Sequence, residues 1–516
     1  MSSVVPGDLR ARAPYAYAAN GSNGRFDFTA EVPAASSLGS VHFIAIGGAG
    51  MSGVARVMLA RGIRVSGSDA KQSLVLAALV TEGAQVYIGH DAAHLGDADT
   101  VVISSAIREN NVELAEARSR GLRVLHRSQA LASVMQGSRR VAVAGANGKT
   151  TTTAMLVVAL QYCGLDPSFA VGGELAKHAT NAHHGTGDIF VVEADESDGS
   201  FLVYRPEVAI VTNVQPDHLD FYGTFEAVQA AYATFAATVQ SGGLLVTCAD
   251  DQGSRDLLEV ARAAGTRVIT YGLTADADVR LTDVGGAGLH AHAQLMGAGA
   301  GAVVLGHLDI GMPGRHNLLN ATAAFVAATV GLGQDPARVL AGLAGFTGTR
   351  RRFEPKGEVA GVRVVDDYAH NPGKVAAVVE TASILAAPGR LIVVFQPHLY
   401  SRTRDFAAEL ATALSPADVV IVMDVYAARE DPMPGVSGAL IADRLAELAR
   451  FSDGQNVRFV PSWSDVAPGV AQIATAGDLV LTVGAGDVTM IGPEILRLLG
   501  ERPQGSAVDP GRGRVV

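Results

Sequence analysis

Residues 139–162 read RRVAVAGANGKTTTTAMLVVALQY. RRVAVAGA is a run of small and branched apolar residues, the pattern of a buried strand, and TTAMLVVALQYCG has the length and apolar content of a helix. Between them stands Gly145-Ala146-Asn147-Gly148-Lys149-Thr150-Thr151-Thr152. A full phosphate-binding loop would carry a glycine five residues before Gly148, where Val143 stands, so this is a shortened variant. Its chemistry survives the shortening. Backbone amides can cradle phosphate, Lys149 can neutralise the terminal oxygens, and Thr150 can offer its hydroxyl to Mg²⁺. An ATP site on a parallel α/β sheet follows.

Upstream the same grammar repeats. SVHFIAIG from Ser40 reads as a buried strand, and Gly48-Ala49-Gly50-Met51-Ser52-Gly53 opens a helix. IRVSGSD then ends a second strand at Asp69, about where an acid meets a ribose in a dinucleotide fold. Read alone, this is a nucleotide pocket of a nicotinamide oxidoreductase, or a tight turn that binds nothing. Downstream, GVRVVDDY, RLIVVFQP, ADVVIVMDVY, NVRFVP and DLVLTVGAG are further strands with helices between them. The stretch 278–310 instead alternates short strands with glycines, which predicts an antiparallel insertion at a sheet edge. The expected organisation is a mobile tail over 1–38, then three α/β domains over 39–137, 138–345 and 346–516. The first and last are Rossmann-like, and the central one is a P-loop ATPase-like domain with a mostly parallel sheet.

The chain has 516 residues, a net charge of −11 and 48% hydrophobic residues. That acidity argues against a nucleic-acid partner, which needs a basic face. Cys163 and Cys248 are too few for a disulfide framework. No apolar run reaches the roughly 18 residues of a spanning helix, and the N-terminus lacks the apolar core of a secretory signal. A cytoplasmic protein is the expectation.

Other polar clusters lie where α/β sheets bind ligands. Glu193-Ala194-Asp195-Glu196-Ser197-Asp198 gathers four carboxylates after a strand, either a solvated turn or a cation-holding segment. Thr212-Asn213-Val214-Gln215-Pro216-Asp217-His218 follows the next strand. Asn317 and Asn320 share a helix face, able to bond a nucleotide or to cap the helix. Arg350-Arg351-Arg352, Asp367-Tyr368-Ala369-His370 and His398-Leu399-Tyr400-Ser401-Arg402 close the series.

Together, GGAGMSG, GANGKTTT, EADESDGSFL, VTNVQPDHLD, PGRHNLLNATAA, GTRRRFE, DDYAHNP and FQPHLYSRT resemble, in order over residues 40–495, the Mur ligases of peptidoglycan synthesis. GGAGMSG and EADESDGSFL point to the branch that adds L-alanine. The resemblance implies an ATP- and Mg²⁺-dependent amide ligase acting on UDP-N-acetylmuramate and L-alanine. It places the sugar nucleotide on Gly48, Gly50, Met51, Ser52, Gly53 and Asp69, with Ser104 and Ser105 as weaker candidates. ATP falls to Gly145–Thr151, Asn317, Asn320, Arg352 and Asp367. Mg²⁺ falls to Thr150, Glu193 and His218, and alanine to Tyr368, His398 and Arg402. Catalysis falls to Lys149, with His218 or His370 as base, and closure of the third domain is expected to hinge around GTRRRFE and DDYAHNP. Leu399 stands where some members carry Arg, and the stretch 221–235 has no lysine for the carbamylation some relatives use.

Overall fold

The computed structural model describes residues 24–175, 180–298, 303–428, 430–451 and 456–502. These form two compact units: the first holds a five-stranded and a ten-stranded sheet, and the second, from Gly348 onward, a six-stranded sheet.

In space the five-stranded sheet runs Gln85–Ile88, Val65–Asp69, Val41–Ile44, Thr100–Ile103, Arg123–His126, with every neighbouring pair parallel. Val41–Ile44 and Thr100–Ile103 are buried at every position, as strands covered on both faces must be. Chain order reverses between these two, so their C-terminal ends diverge into opposite loops and leave a crevice. The helix Ala49–Ala60 rises from that crevice and buries Met51, Val54, Val57 and Met58 along one face.

The expected mobile tail does not extend to residue 38. Residues 1–23 lie outside the described residues, but from Arg25 the chain is packed. Phe28 and Leu38 are fully buried, Phe26 and Phe28 pack on the His126 ring, and Arg25 pairs with Glu109. Two phenylalanines, Phe26 and Phe28, are the apolar anchors in this stretch of mostly small and polar residues.

The ten-stranded sheet centres on Arg139–Ala144, flanked by Val208–Val211 and Ile189–Glu193. It continues in parallel through Leu244–Cys248, Arg267–Gly272 and Val279–Ala287 on one side and Ser168–Leu175 on the other. Both edges turn antiparallel: His290–Gly297 with Val303–Ile310, and Ser168–Leu175 with Thr180–His183. The first of these is the expected insertion.

In the second unit the order is Glu354–Val359, Val362–Asp367, Leu479–Val483, Leu391–Phe395, Val419–Val422, Val457–Phe459. Only the first pair is antiparallel. Asp366 and Asp367 end a buried strand, so the first two residues of DDYAHNP are anchored in the sheet. Among the described residues no helix is long and apolar enough to cross a membrane, and both cysteines are free and buried.

Candidate active site

The phosphate loop joins the strand Arg139–Ala144 to the helix Lys149–Tyr162. Gly148 caps that helix at φ +87°, and a Cβ there would stand 2.4 Å from Asn320 Oδ1. Gly145, at φ +132°, would drive a Cβ to 2.0 Å from Thr212 Oγ1. Left-handed backbone and close neighbours both demand glycine at these two places. The loop is pinned by the next strand's end: Asn213 Oδ1 accepts from Asn147 N at 2.9 Å, and Thr212 Oγ1 donates to Asn147 O at 2.5 Å. Ala146 N also donates to the Asn213 carbonyl, at 3.3 Å. The Ala146 and Asn147 amides, expected to cradle phosphate, are therefore spent on Asn213. The first turn of the helix, from Lys149 onward, brings the positive end of its dipole to the loop.

Lys149 Nζ lies 2.7 Å from Glu196 Oε2 and donates to the Gly145 carbonyl at 2.7 Å. Burial alone would depress its pKa, but Glu196, Asp195 and Glu193 outweigh that and raise it. In the sequence Glu196 is one carboxylate of an acidic run, with no role of its own; the structure makes it the lysine's counter-ion.

Glu193, at the end of Ile189–Glu193, accepts from Thr150 Oγ1 at 3.1 Å and from Gly172 N at 2.7 Å. His218 stands apart from that pair, beside Glu196, with Nε2 3.8 Å from Glu196 Oε1 and its backbone at φ +53°. Among the described residues no three metal-binding side chains are arranged to hold an ion by themselves. The oxygen donors of Thr150 and Glu193 are of the kind Mg²⁺ takes, one or two carboxylates together with phosphate oxygens and water. Asn317 and Asn320 are buried in the helix Arg315–Val326. Asn320 lies a full turn inside that helix, against Gly148, so it supports the loop rather than capping the helix.

In the same unit, Gly48 caps the helix Ala49–Ala60. Met51 and Ser52 are buried, so what they offer a ligand at this turn is their backbone. Asp69 Oδ2 accepts from Gly47 N at 2.9 Å, which fixes the entry to the turn. A Cβ on Gly53 would lie 3.2 Å from Ala182 Cβ, and Asn181 Nδ2 donates to the Ala49 carbonyl at 2.8 Å. The edge strand Thr180–His183 thus packs on the turn. Ser104 is half-buried, and its carbonyl accepts from Ile107 N. Ser105 Oγ donates to Asp198 at 2.6 Å and lies 3.1 Å from His126 Nε2. Ser105 is therefore held by the acidic segment.

In the second unit, strand ends gather another set. Two guanidinium groups lie over the Tyr368 ring, Arg351 at 4.7 Å and Arg352 at 5.4 Å from its centre. Asp367 accepts from Phe353 N and Ala369 N on its two oxygens, and burial raises its pKa. These two bonds tie the end of the strand Val362–Asp367 to the residue that follows Arg352. His370 Nδ1 donates to the Tyr368 carbonyl at 2.9 Å, which leaves Nε2 as the acceptor of a neutral ring. Burial, then Lys374 and Arg402, hold its pKa well below 6.5. The His370 and His398 rings are 5.4 Å apart, and Arg402 Nη1 lies 3.5 Å from His398 Nδ1. Tyr426 stacks on His398 at 6.1 Å; no sequence signal marked it. Leu399 is buried at φ +69°.

Three family models cover this arrangement: the Mur ligase family, catalytic domain over residues 40–139, the Mur ligase middle domain over 143–328, and the Mur ligase, glutamate ligase domain over 351–486. The UDP-N-acetylmuramate–L-alanine ligase of Kineococcus radiotolerans is 56% identical over 92% of this chain and 99% of its own length. The protein of the same name from Acidothermus cellulolyticus is 53% identical over 91% of this chain and 96% of its own. Among solved structures, the UDP-N-acetylmuramate–alanine ligase of Thermotoga maritima matches with a TM-score of 0.73 and 29% identity, over 89% of this chain and 98% of that one. The chain belongs to the Mur ligase family.

Proposed function

We propose that the chain is an ATP-dependent ligase that joins L-alanine to the lactyl carboxylate of UDP-N-acetylmuramate in the cytoplasm, with release of ADP and phosphate. The observation that carries this reading is the Lys149–Thr150–Glu193 phosphate site built into the same compact unit as the Gly48–Gly53 turn. Relatives of that name, matched along nearly their whole length, support the choice of substrates.

A carboxylate is a poor electrophile, so it must be activated before an amine can displace its oxygen. The lactyl oxygen attacks the γ-phosphorus of ATP, the bond to ADP breaks, and an acyl phosphate forms. The alanine nitrogen then attacks the acyl carbon, and phosphate leaves. Two anions meet in the first step. Lys149, protonated and aimed along the loop, lowers their repulsion, and its bond to Glu196 gives way to a phosphate oxygen. Thr150 and Glu193 would hold Mg²⁺, with His218 next to Glu196; bound there, the ion supplies charge neutralisation on the phosphate oxygens. In the second unit Arg402 offers a guanidinium to the alanine carboxylate. His370, neutral with Nε2 as the acceptor, receives a hydrogen bond from the alanine ammonium and orients it for loss of its proton.

The test is phosphate release from ATP in the presence of Mg²⁺, offering one amino acid at a time. Release that requires both UDP-N-acetylmuramate and L-alanine is the expected result. Release only with a preformed muramyl peptide would move the enzyme to another step, and no coupled release under any pairing would end the proposal.

A further inference from the structure

Arg127 belongs to no motif described above. It is the first residue of the helix Arg127–Val134, directly after the edge strand Arg123–His126 of the five-stranded sheet. Its guanidinium nevertheless lies on the glycine turn, because a Cβ added to Gly50 would stand 2.5 Å from Arg127 Nη1. Gly50 is not among the residues with positive φ. Glycine there leaves space for the guanidinium, and a Cβ would push that flexible side chain aside rather than strain the backbone. On its other side, Nη2 donates to Asp195 Oδ2 at 3.2 Å, the only guanidinium bond to a protein acceptor among the described residues. Nη1, the arm of the fork nearest the turn, carries two further donors.

The acidic segment explains why a fixed cation belongs here. Asp195 and Asp198 both lie near Arg127, and burial notwithstanding they keep its guanidinium more firmly charged than usual. An anion seated on the Gly48–Gly53 amides would meet the field of those carboxylates. A planar guanidinium between the two compensates both, and its fork matches paired phosphate oxygens. A purely structural strut between Arg127 and Asp195 is the competing account. With side chains 28% and 38% exposed, such a pair is worth little by itself, and it gives no reason to keep position 50 bare.

We infer that Arg127 binds the diphosphate of the sugar nucleotide, with the amides of the Gly48–Gly53 turn on the other side. This rests on the proposed function for the presence of a nucleoside diphosphate. Uridine diphosphate itself, which carries neither sugar nor lactyl carboxylate, is the probe. By calorimetry, Arg127→Ala should weaken UDP binding about 10- to 100-fold, the range of a charge-assisted bond, and Arg127→Lys should recover part of the loss. In turnover, KM for UDP-N-acetylmuramate should rise in parallel while KM for L-alanine stays within about twofold. Gly50→Ala, which displaces the guanidinium without deleting it, should also weaken UDP, and in the Arg127→Ala background it should add almost nothing. Asp195→Asn separates the strut: it should leave UDP binding within a few-fold of the parent, whereas a strut predicts that it copies Arg127→Ala. Unchanged UDP affinity in Arg127→Ala overturns the inference, as does a loss confined to UDP-N-acetylmuramate, which would move the contact to the carboxylate. Should Arg127→Ala not fold, Gly50→Ala decides by the same criterion. A parent protein that catalyses coupled phosphate release but binds no UDP would sink the inference alone; one that does neither would sink the proposed function as well.

Discussion

Lys149 and Glu196 are 12% and 3% exposed at their side chains, and a buried pair of this kind behaves asymmetrically. Removing one partner leaves a charge without solvent or counter-ion, at a cost of about 3–5 kcal/mol, whereas removing both charges together can be nearly neutral. Catalysis follows a different rule, because only the lysine can meet a phosphate oxygen. Lys149→Met should therefore lose both stability and about 10²–10³ in kcat. The double variant Lys149→Met/Glu196→Gln should regain most of the stability and none of the activity. Melting temperature and coupled phosphate release, measured on both proteins, separate the two. Equal stability of single and double variants would show that Glu196 is not the counter-ion the distances make it. The sequence made Lys149 plain because a lysine between a buried strand and an apolar helix is a local signal. Glu196 was one of four carboxylates in six residues, and nothing local tells which of them turns toward a lysine 47 positions away.

At the scale of elements, the strand–loop–helix of residues 139–162 is legible because each part is specified by its own residues. What holds the loop is not local. Thr212 and Asn213 pin it from the end of a neighbouring strand, and Asn320 closes against Gly148 from a third element. The sequence displayed these residues as motifs without saying that they touch. The missed strands also have a physical reason. Glu354–Val359 is a half-exposed edge strand with a proline near its start and no apolar run, and Ser168–Leu175 is interrupted by two glycines, so neither displays a strand period. The loop's dependence on distant neighbours makes Gly148→Ala informative. The left-handed backbone costs a residue with a Cβ about 1–2 kcal/mol, and contact with Asn320 Oδ1 forces the loop or the asparagine to move. ATP affinity should fall at least tenfold while UDP binding at the other turn stays normal. Pairing with Asn320→Ala should recover part of the ATP affinity by clearing the contact; no recovery would assign the whole loss to φ.

Over the whole molecule, two features outside the site decide whether the first unit stays folded. Residues 24–38 insert Phe28 and Leu38 into its core, and the Thr100 hydroxyl donates to the Leu38 carbonyl. Two fully buried large side chains contribute about 1.5–3 kcal/mol each. Deleting residues 1–38 should therefore lower stability by several kcal/mol relative to deleting residues 1–23, and a scan showing equal melting temperatures would refute that packing. The second feature is a pair of histidines, His42 fully buried and His316 half-buried. Burial pushes His42 and His316 down to about 4. For His42 the Glu113 carboxylate opposes that shift and the His94 and His90 rings add to it. Their ordinary value is about 6.5. Between pH 6.5 and about 4 the unfolded chain binds protons that these folded rings refuse, so acid favours unfolding through that interval. The stabilisation is complete above pH 6.5 and is lost as pH falls toward 4. A tenfold change in proton affinity corresponds to about 1.4 kcal/mol, so each ring on its own carries on the order of 3 kcal/mol of this dependence. His42→Gln removes one titrating group while keeping a polar side chain near Ser66, whose hydroxyl lies 2.9 Å from His42 Nδ1. Denaturant unfolding of parent and variant from pH 7 to pH 4.5 should give a visibly shallower loss of stability for the variant, even if its stability at pH 7 is lower. Parallel curves would mean that the His42 ring takes up its proton inside the folded protein, with Glu113 stabilising the charge instead of yielding to burial.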